Sequence, residues 1–162
     1  MFKKAKNAKN KYIKHPSERG SSMKNKAYGN IAPVLAELFL PFLLGAVLYY
    51  SIEILWRGYS HWSMAIVGGI CFLLLYLVGR MFPNMPLLLY CIIGAILISS
   101  AELTAGELLN IRLGLDIWDY SELPLNFKGQ ICLLFSFLWS LLCVPAHLIA
   151  RLMRTKIFGC SR

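Results

Sequence analysis

A carboxylate is costly inside a bilayer, so an acid within a long apolar run marks a place where chemistry can occur. Glu102 meets that description, because the fifteen residues before it (87–101) carry no charge. Glu53 stands near the end of an earlier apolar run, and Glu107 follows Glu102 by five residues. Five residues turn a helix by about 140° from the starting face, so Glu102 and Glu107 point different ways. Gly106 shares the Glu102 face and, with Ala101 and Ala105, would let a second helix approach closely. The sharp reading of these acids is a ligand or ion contact around a polar cavity. The bland readings are local: Glu53 paired with Arg57 four residues on, Glu107 paired with Arg112, and Glu102 making a buried structural hydrogen bond.

The most distinctive polar segment runs through Trp118, Asp119, Tyr120 and Ser121 to Glu122, Pro124 and Asn126. Asp119 and Ser121 can hydrogen-bond backbone in a turn, and Pro124 fixes the exit. This segment is expected to be either a rigid loop or a ligand-contact lid beside Glu102. The candidate polar site is therefore Glu53, Glu102, Glu107, Trp118, Asp119, Tyr120 and Ser121.

Other chemistries find little support. His61 and His147 stand alone, and the five cysteines form no CxxC pair, so neither a metal site nor a disulfide framework is expected. The chain has no HExxH, GxSxG, Walker A or GxGxxG signature. We expect no catalytic residue, no cofactor and no enzyme.

The elements that position the site are membrane helices. Hydrophobic residues make up 57% of the chain and charged residues 15%, against about 25% charged in soluble domains. A spanning helix needs about 20 apolar residues, and four runs qualify: 34–55, 62–79, 86–109 and 129–150. Pro41 and Pro145 fall inside the first and last. The expected fold is an all-α polytopic membrane protein, with a four-helix transmembrane domain over 31–155 and a cytoplasmic end at 156–162. The first two connectors are short, which makes successive helices antiparallel neighbours.

Charge sets the orientation. Residues 1–30 hold nine Lys or Arg against Glu18 alone. They read as an unstructured basic cytoplasmic tail facing anionic lipid rather than a nucleic-acid binder. The tail has no apolar core with a cleavage site, so it is not expected to be a signal peptide. Met23 opens a shorter N-terminus, so no function is hung on residues 1–22. With the N-terminus inside, fourteen of the seventeen Lys and Arg lie on the inner side, leaving Arg57, Arg112 and Lys128 outside. That bias predicts cytoplasmic N- and C-termini in a plasma membrane.

The two halves resemble each other. Gly45, Ala46, Leu48, Ser51 and Glu53 recur 49 residues later as Gly94, Ala95, Leu97, Ser100 and Glu102. Gly68, Ile70 and Cys71 recur 61 residues later as Gly129, Ile131 and Cys132. The expectation is two duplicated hairpins of one orientation, with Glu53 and Glu102 at equal depth.

The segments 104–110 (TAGELLN), 117–121 (IWDYS), 123–126 (LPLN) and 129–133 (GQICL) resemble the CmpB-like family of ABC-transporter permeases, bacterial multi-pass membrane proteins. Trp56-Arg57-Gly58, His61-Trp62-Ser63-Met64 and Gly68-Gly69 are similar to the family's first half. The resemblance covers about residues 40–140. It implies a transport-related subunit in the bilayer, assembled with copies of itself or other membrane subunits and served by a separate ATPase. A non-transport membrane component, such as an envelope-assembly or phage holin-like protein, is the alternative. A membrane-embedded enzyme using a glutamate stands third.

Overall fold

The computed structural model describes residues 31–158. The expected tail at 1–30 and residues 159–162 lie outside the described residues. Ala36 opens the compact unit that carries the rest of the described chain.

Four helices carry the described residues: α1 (Ile31–Arg57), α2 (Trp62–Met81), α3 (Leu87–Gly106) and α4 (Leu133–Leu152). All four are long and apolar enough to cross a bilayer. The protein is an all-α, multi-pass membrane protein. Helix α1 ends where Gly58 adopts φ +80° and its N–H returns to the Ile54 carbonyl at 2.8 Å, a left-handed cap that glycine permits. His61 then caps α2, its Nδ1 accepting from the Ser63 N–H. Pro86 caps α3 and accepts from the Tyr90 N–H at 3.0 Å. Helices α3 and α4 each run on into a π-helical turn, Glu107–Arg112 and Met153–Ile157. Helices α1 and α4 continue through Pro41 and Pro145.

The fourth helix starts at Leu133 rather than at the expected Gly129. Gly129 has φ +68° and sits in a turn. The residues after it, Ile131–Cys132 (β2), pair antiparallel with Asn126–Phe127 (β1) in a two-stranded ladder. The connector from α3 to α4 therefore runs from Leu113 to Cys132, and its apolar tail is strand rather than span.

Polar contacts fix the antiparallel order. Near the start of α1, Glu37 takes an ion pair from Arg80 at 3.0 Å and a hydrogen bond from Tyr76 Oη at 2.8 Å, both from the far end of α2. Arg154, beyond α4, packs against Gly79 at that same end of α2. At the opposite end, Arg57 donates to the Ile117 carbonyl of the long connector. Between these ends the core is built on Phe72, Leu75, Tyr90, Ile98 and Cys143. Tyr90 is fully buried, and its hydroxyl is satisfied by the Leu75 carbonyl at 3.0 Å. Glycines allow the close helix approaches that lipid-embedded packing relies on. A Cβ on Gly68 would strike Tyr49 of α1, and one on Gly94 would strike Cys143 of α4.

The internal similarity needs one correction. Gly68 lies within α2 whereas Gly129 lies in a turn, so the 61-residue match does not relate equivalent positions. Helices α2 and α4 are both 20 residues long, and their starts (62 and 133) and ends (81 and 152) both differ by 71. With that register the glycine contacts agree. Gly45 meets Phe72 and Gly94 meets Cys143, positions that differ by 49 in the first helix and 71 in the second. Glu53 and Glu102 each follow their glycine by eight residues.

Candidate functional site

Glu102 lies one turn before the end of α3 and is only 6% exposed. Its two oxygens are held separately. Tyr120 Oη donates to Oε1 at 2.9 Å, and Trp139 Nε1 donates to Oε2 at 2.9 Å. The first donor comes from the long connector and the second from α4, so one carboxyl ties α3 to both. The Tyr120 ring stacks on Phe135 of α4, centroids 4.5 Å apart at 16°, which holds the phenol in place. Burial first, and then the neighbouring Glu102, push the Tyr120 phenol well above its ordinary range. It therefore stays a donor at any physiological pH.

The connector that delivers Tyr120 is fastened by Asn110. Its Nδ2 donates to the Trp118 carbonyl and to Gln130 Oε1, each at 2.8 Å, and its Oδ1 accepts from the Ile117 N–H at 2.8 Å. Trp118 Nε1 donates to the Gln130 carbonyl at 3.0 Å. Gln130 lies against Gly106, where a Cβ would collide with it; the small residue foreseen for a partner helix in fact seats a loop side chain. Asn126 holds the return turn, donating to the Ser121 and Leu123 carbonyls and accepting from the Gly129 N–H.

Asp119 and Ser121 shape this loop and do not reach Glu102. The Ser121 N–H and Oγ donate to the two Asp119 oxygens at 2.8 and 2.7 Å. These bonds hold the exposed Asp119 carboxyl below the usual aspartate range. Glu53 is buried, paired with Arg57 at 2.7 Å and accepting from Ser60 Oγ. Arg57 links it to the connector through the Ile117 carbonyl. Glu107 pairs at the surface with Lys128 at 3.2 Å, not with Arg112 as its spacing suggested. Of the seven candidates, Glu102, Trp118 and Tyr120 come together, while Glu53 joins them through Arg57 and the connector backbone.

Below Glu102 lies a cavity of about 240 Å³. All four helices line it, with Tyr49, Met64, Cys71, Ile98 and Trp139 in the wall and Trp118 from the connector. Among the described residues Glu102 is the only acid that lines it. Leu48, Ile52 and Pro145 also border it and are exposed, which puts its mouth at the lipid-facing seam of α1 and α4. Residues 42–159 match the model of the family described as "Putative ABC-transporter type IV". The chain belongs to this family. No curated protein and no solved structure matches it. The family match spans the connector, the Glu102 clip and the cavity, which places the whole candidate site inside the ABC-transporter-like region.

Three residues of the site escaped the sequence reading. Trp139 sat inside an apolar run, where tryptophan usually means bulk. A buried indole N–H nonetheless needs an acceptor, and a carboxylate within an apolar run could supply one. Asn110 and Gln130 stood inside the family-like segments, yet nothing in their spacing told that one would clamp the other. Glu37 is buried in an ion pair at the opposite end of the bundle.

Proposed function

We propose that the protein is a transport-related subunit of a bacterial plasma membrane that takes a predominantly apolar molecule into the cavity below Glu102. The supporting observation is that cavity itself: an apolar chamber between four helices, with a single acid in its wall among the described residues and a mouth toward lipid. At about 240 Å³ it approaches the lower end of sites for small organic ligands, about 300 Å³. Glu102 would meet the one polar group of such a molecule and fix its orientation. The basic ends of α2 and α4 (Arg80, Arg151, Arg154, Lys156) favour that side, and both termini, in the cytoplasm. The sequence carries no Walker A motif, so an ABC role calls for a separate ATPase, with other membrane subunits or further copies of this chain completing the path.

Trp118 and Trp139 line the cavity and report on it. In nanodiscs, a panel of apolar amines, acids and lipids is expected to include a molecule that quenches their fluorescence saturably. Cys71→Phe, which fills the chamber, should abolish that quenching. Absence of saturable quenching across the panel, or an unchanged response in Cys71→Phe, sinks the proposal.

One observation favours a second reading, a non-transport membrane component of the envelope-assembly or holin-like kind. Both Glu102 oxygens already accept a hydrogen bond, as a purely structural clip would have it. On that reading Glu102→Gln lowers thermal stability markedly. On the transport reading it costs only the one hydrogen bond that an amide nitrogen cannot accept, about 1 kcal/mol, and changes ligand binding as well.

A further inference from the structure

The other end of the bundle holds a second cavity, of about 340 Å³, bordered by Asn84 and Met85 of the α2–α3 connector and by His147, Arg151, Arg154 and Thr155 around the end of α4. Its character is opposite to that of the first. Among the described residues no Asp or Glu lines it, and Glu37 at this end is engaged by Arg80 and Tyr76. Arg154 is 8% exposed, and its Nη1 has no hydrogen-bond partner among the described residues; neither has the buried Nδ1 of His147. A guanidinium withdrawn from water without a counter-charge is strongly unfavourable, so such groups are normally paired. Arg151 adds a second cation from the exposed rim, and Asn84 adds an amide.

We infer that this cavity binds a phosphate-bearing anion, either the headgroup of an acidic phospholipid or a free phosphate, with Arg154 as its buried anchor and Arg151 and Asn84 at its rim. A planar guanidinium suits phosphate because it offers two parallel donors. The position fits either source, since the cavity lies where the ends of the spanning helices meet the membrane surface. Thr155 takes no donor role, because its hydroxyl already donates to the Arg151 carbonyl at 3.0 Å.

The full-length protein is compared in nanodiscs of phosphatidylcholine, of phosphatidylcholine with phosphatidylglycerol, and of phosphatidylcholine with added inorganic phosphate. Its unfolding temperature should rise in at least one anionic arm. A rise with phosphatidylglycerol alone identifies a lipid headgroup, and a rise with inorganic phosphate identifies a soluble anion. Arg151→Gln should weaken the apparent affinity about tenfold, the loss of one charge-assisted contact. Lys156→Gln removes a charge at the same end outside the cavity and should leave the affinity unchanged. Arg154→Met should abolish the response and make the anion-free protein no less stable, since it removes an unpaired buried charge. If neither arm raises the unfolding temperature, or if Lys156→Gln weakens the response as much as Arg151→Gln does, the site is overturned. Arg151→Gln decides the matter even where Arg154→Met does not fold.

Discussion

The two hairpins put a glutamate at the same point of their first helix and satisfy it in different ways. Glu53 finds its partners close by, Arg57 on the next turn of α1 and Ser60 in the short connector. Among the described residues Glu102 has no cation partner, and it draws on two other elements, Trp139 of α4 and Tyr120 of the long connector. The difference follows from the connectors. Between α1 and α2 only residues 58–61 intervene, too few to fold back over the bundle. Residues 113–132 have room for a β-ladder and for a turn that returns Tyr120 to the helix end. Both carboxylates are buried, but the first is satisfied within its own helix and short connector while the second organises two other elements.

If the long connector creates this difference, the residue that fastens it should matter most. Asn110→Leu removes three hydrogen bonds and leaves a buried N–H, a carbonyl and the Gln130 amide oxygen without partners. Each buried orphan costs about 1–3 kcal/mol, so a total loss of about 3 kcal/mol is expected in an SDS titration of the purified protein. A loss below about 1 kcal/mol would mean that the connector is held some other way.

Glu102→Leu should come next, at about 2 kcal/mol, because it strands the Tyr120 hydroxyl and the Trp139 indole N–H. Trp139→Phe combined with Glu102→Leu should cost about 1 kcal/mol less than the sum of the two single losses, since both remove one bond. Strict additivity would show that the 2.9 Å contact carries no energy. Glu53→Gln sharpens the comparison. The Arg57 partner is about a quarter exposed, so the loss should stay at or below about 1 kcal/mol after solvent screening. Equal losses at Glu53 and Glu102 would erase the proposed distinction between the hairpins.

These contrasts also explain how much could be read from the sequence. Four spans were legible because about 20 apolar residues in a row have few other uses. Their exact ends were less so: the run from Gly129 looked like helix because Ile131 and Cys132 are apolar, yet a positive φ at Gly129 and the ladder with Asn126–Phe127 delay α4 to Leu133. The cost of a charge in lipid singled out Glu102, and the turn-forming residues singled out the Trp118–Ser121 segment. Their meeting could not be read, because Tyr120 and Trp139 reach Glu102 from 18 and 37 residues away. Local rules such as the i,i+4 pair found Glu53–Arg57 and misassigned Glu107, whose partner Lys128 lies 21 residues on. Apolar similarity between spans suggested the repeat but slipped its register by ten positions, since small and aliphatic residues match one another in almost any alignment.

The smallest effect tests whether the connector is rigid in its own right. Asp119 is exposed, and its carboxyl is held below the usual aspartate range by the Ser121 hydroxyl and N–H. A depressed folded-state value means that the charged form stabilises the turn. That contribution is complete above the unfolded value, about 3.9, and is lost as pH falls through the lower folded value. Amide exchange at Ser121, corrected for its intrinsic rate, should therefore be flat from pH 7 to about pH 4 and accelerate below. Asp119→Asn retains a side-chain oxygen acceptor and should remove the pH dependence while leaving some protection. Protection already lost near pH 6 would point to a titrating group other than Asp119. Protection unchanged at the lowest pH would show that the Asn110 and Gln130 contacts alone hold the loop, leaving Asp119 and Ser121 with no part in presenting Tyr120 to Glu102.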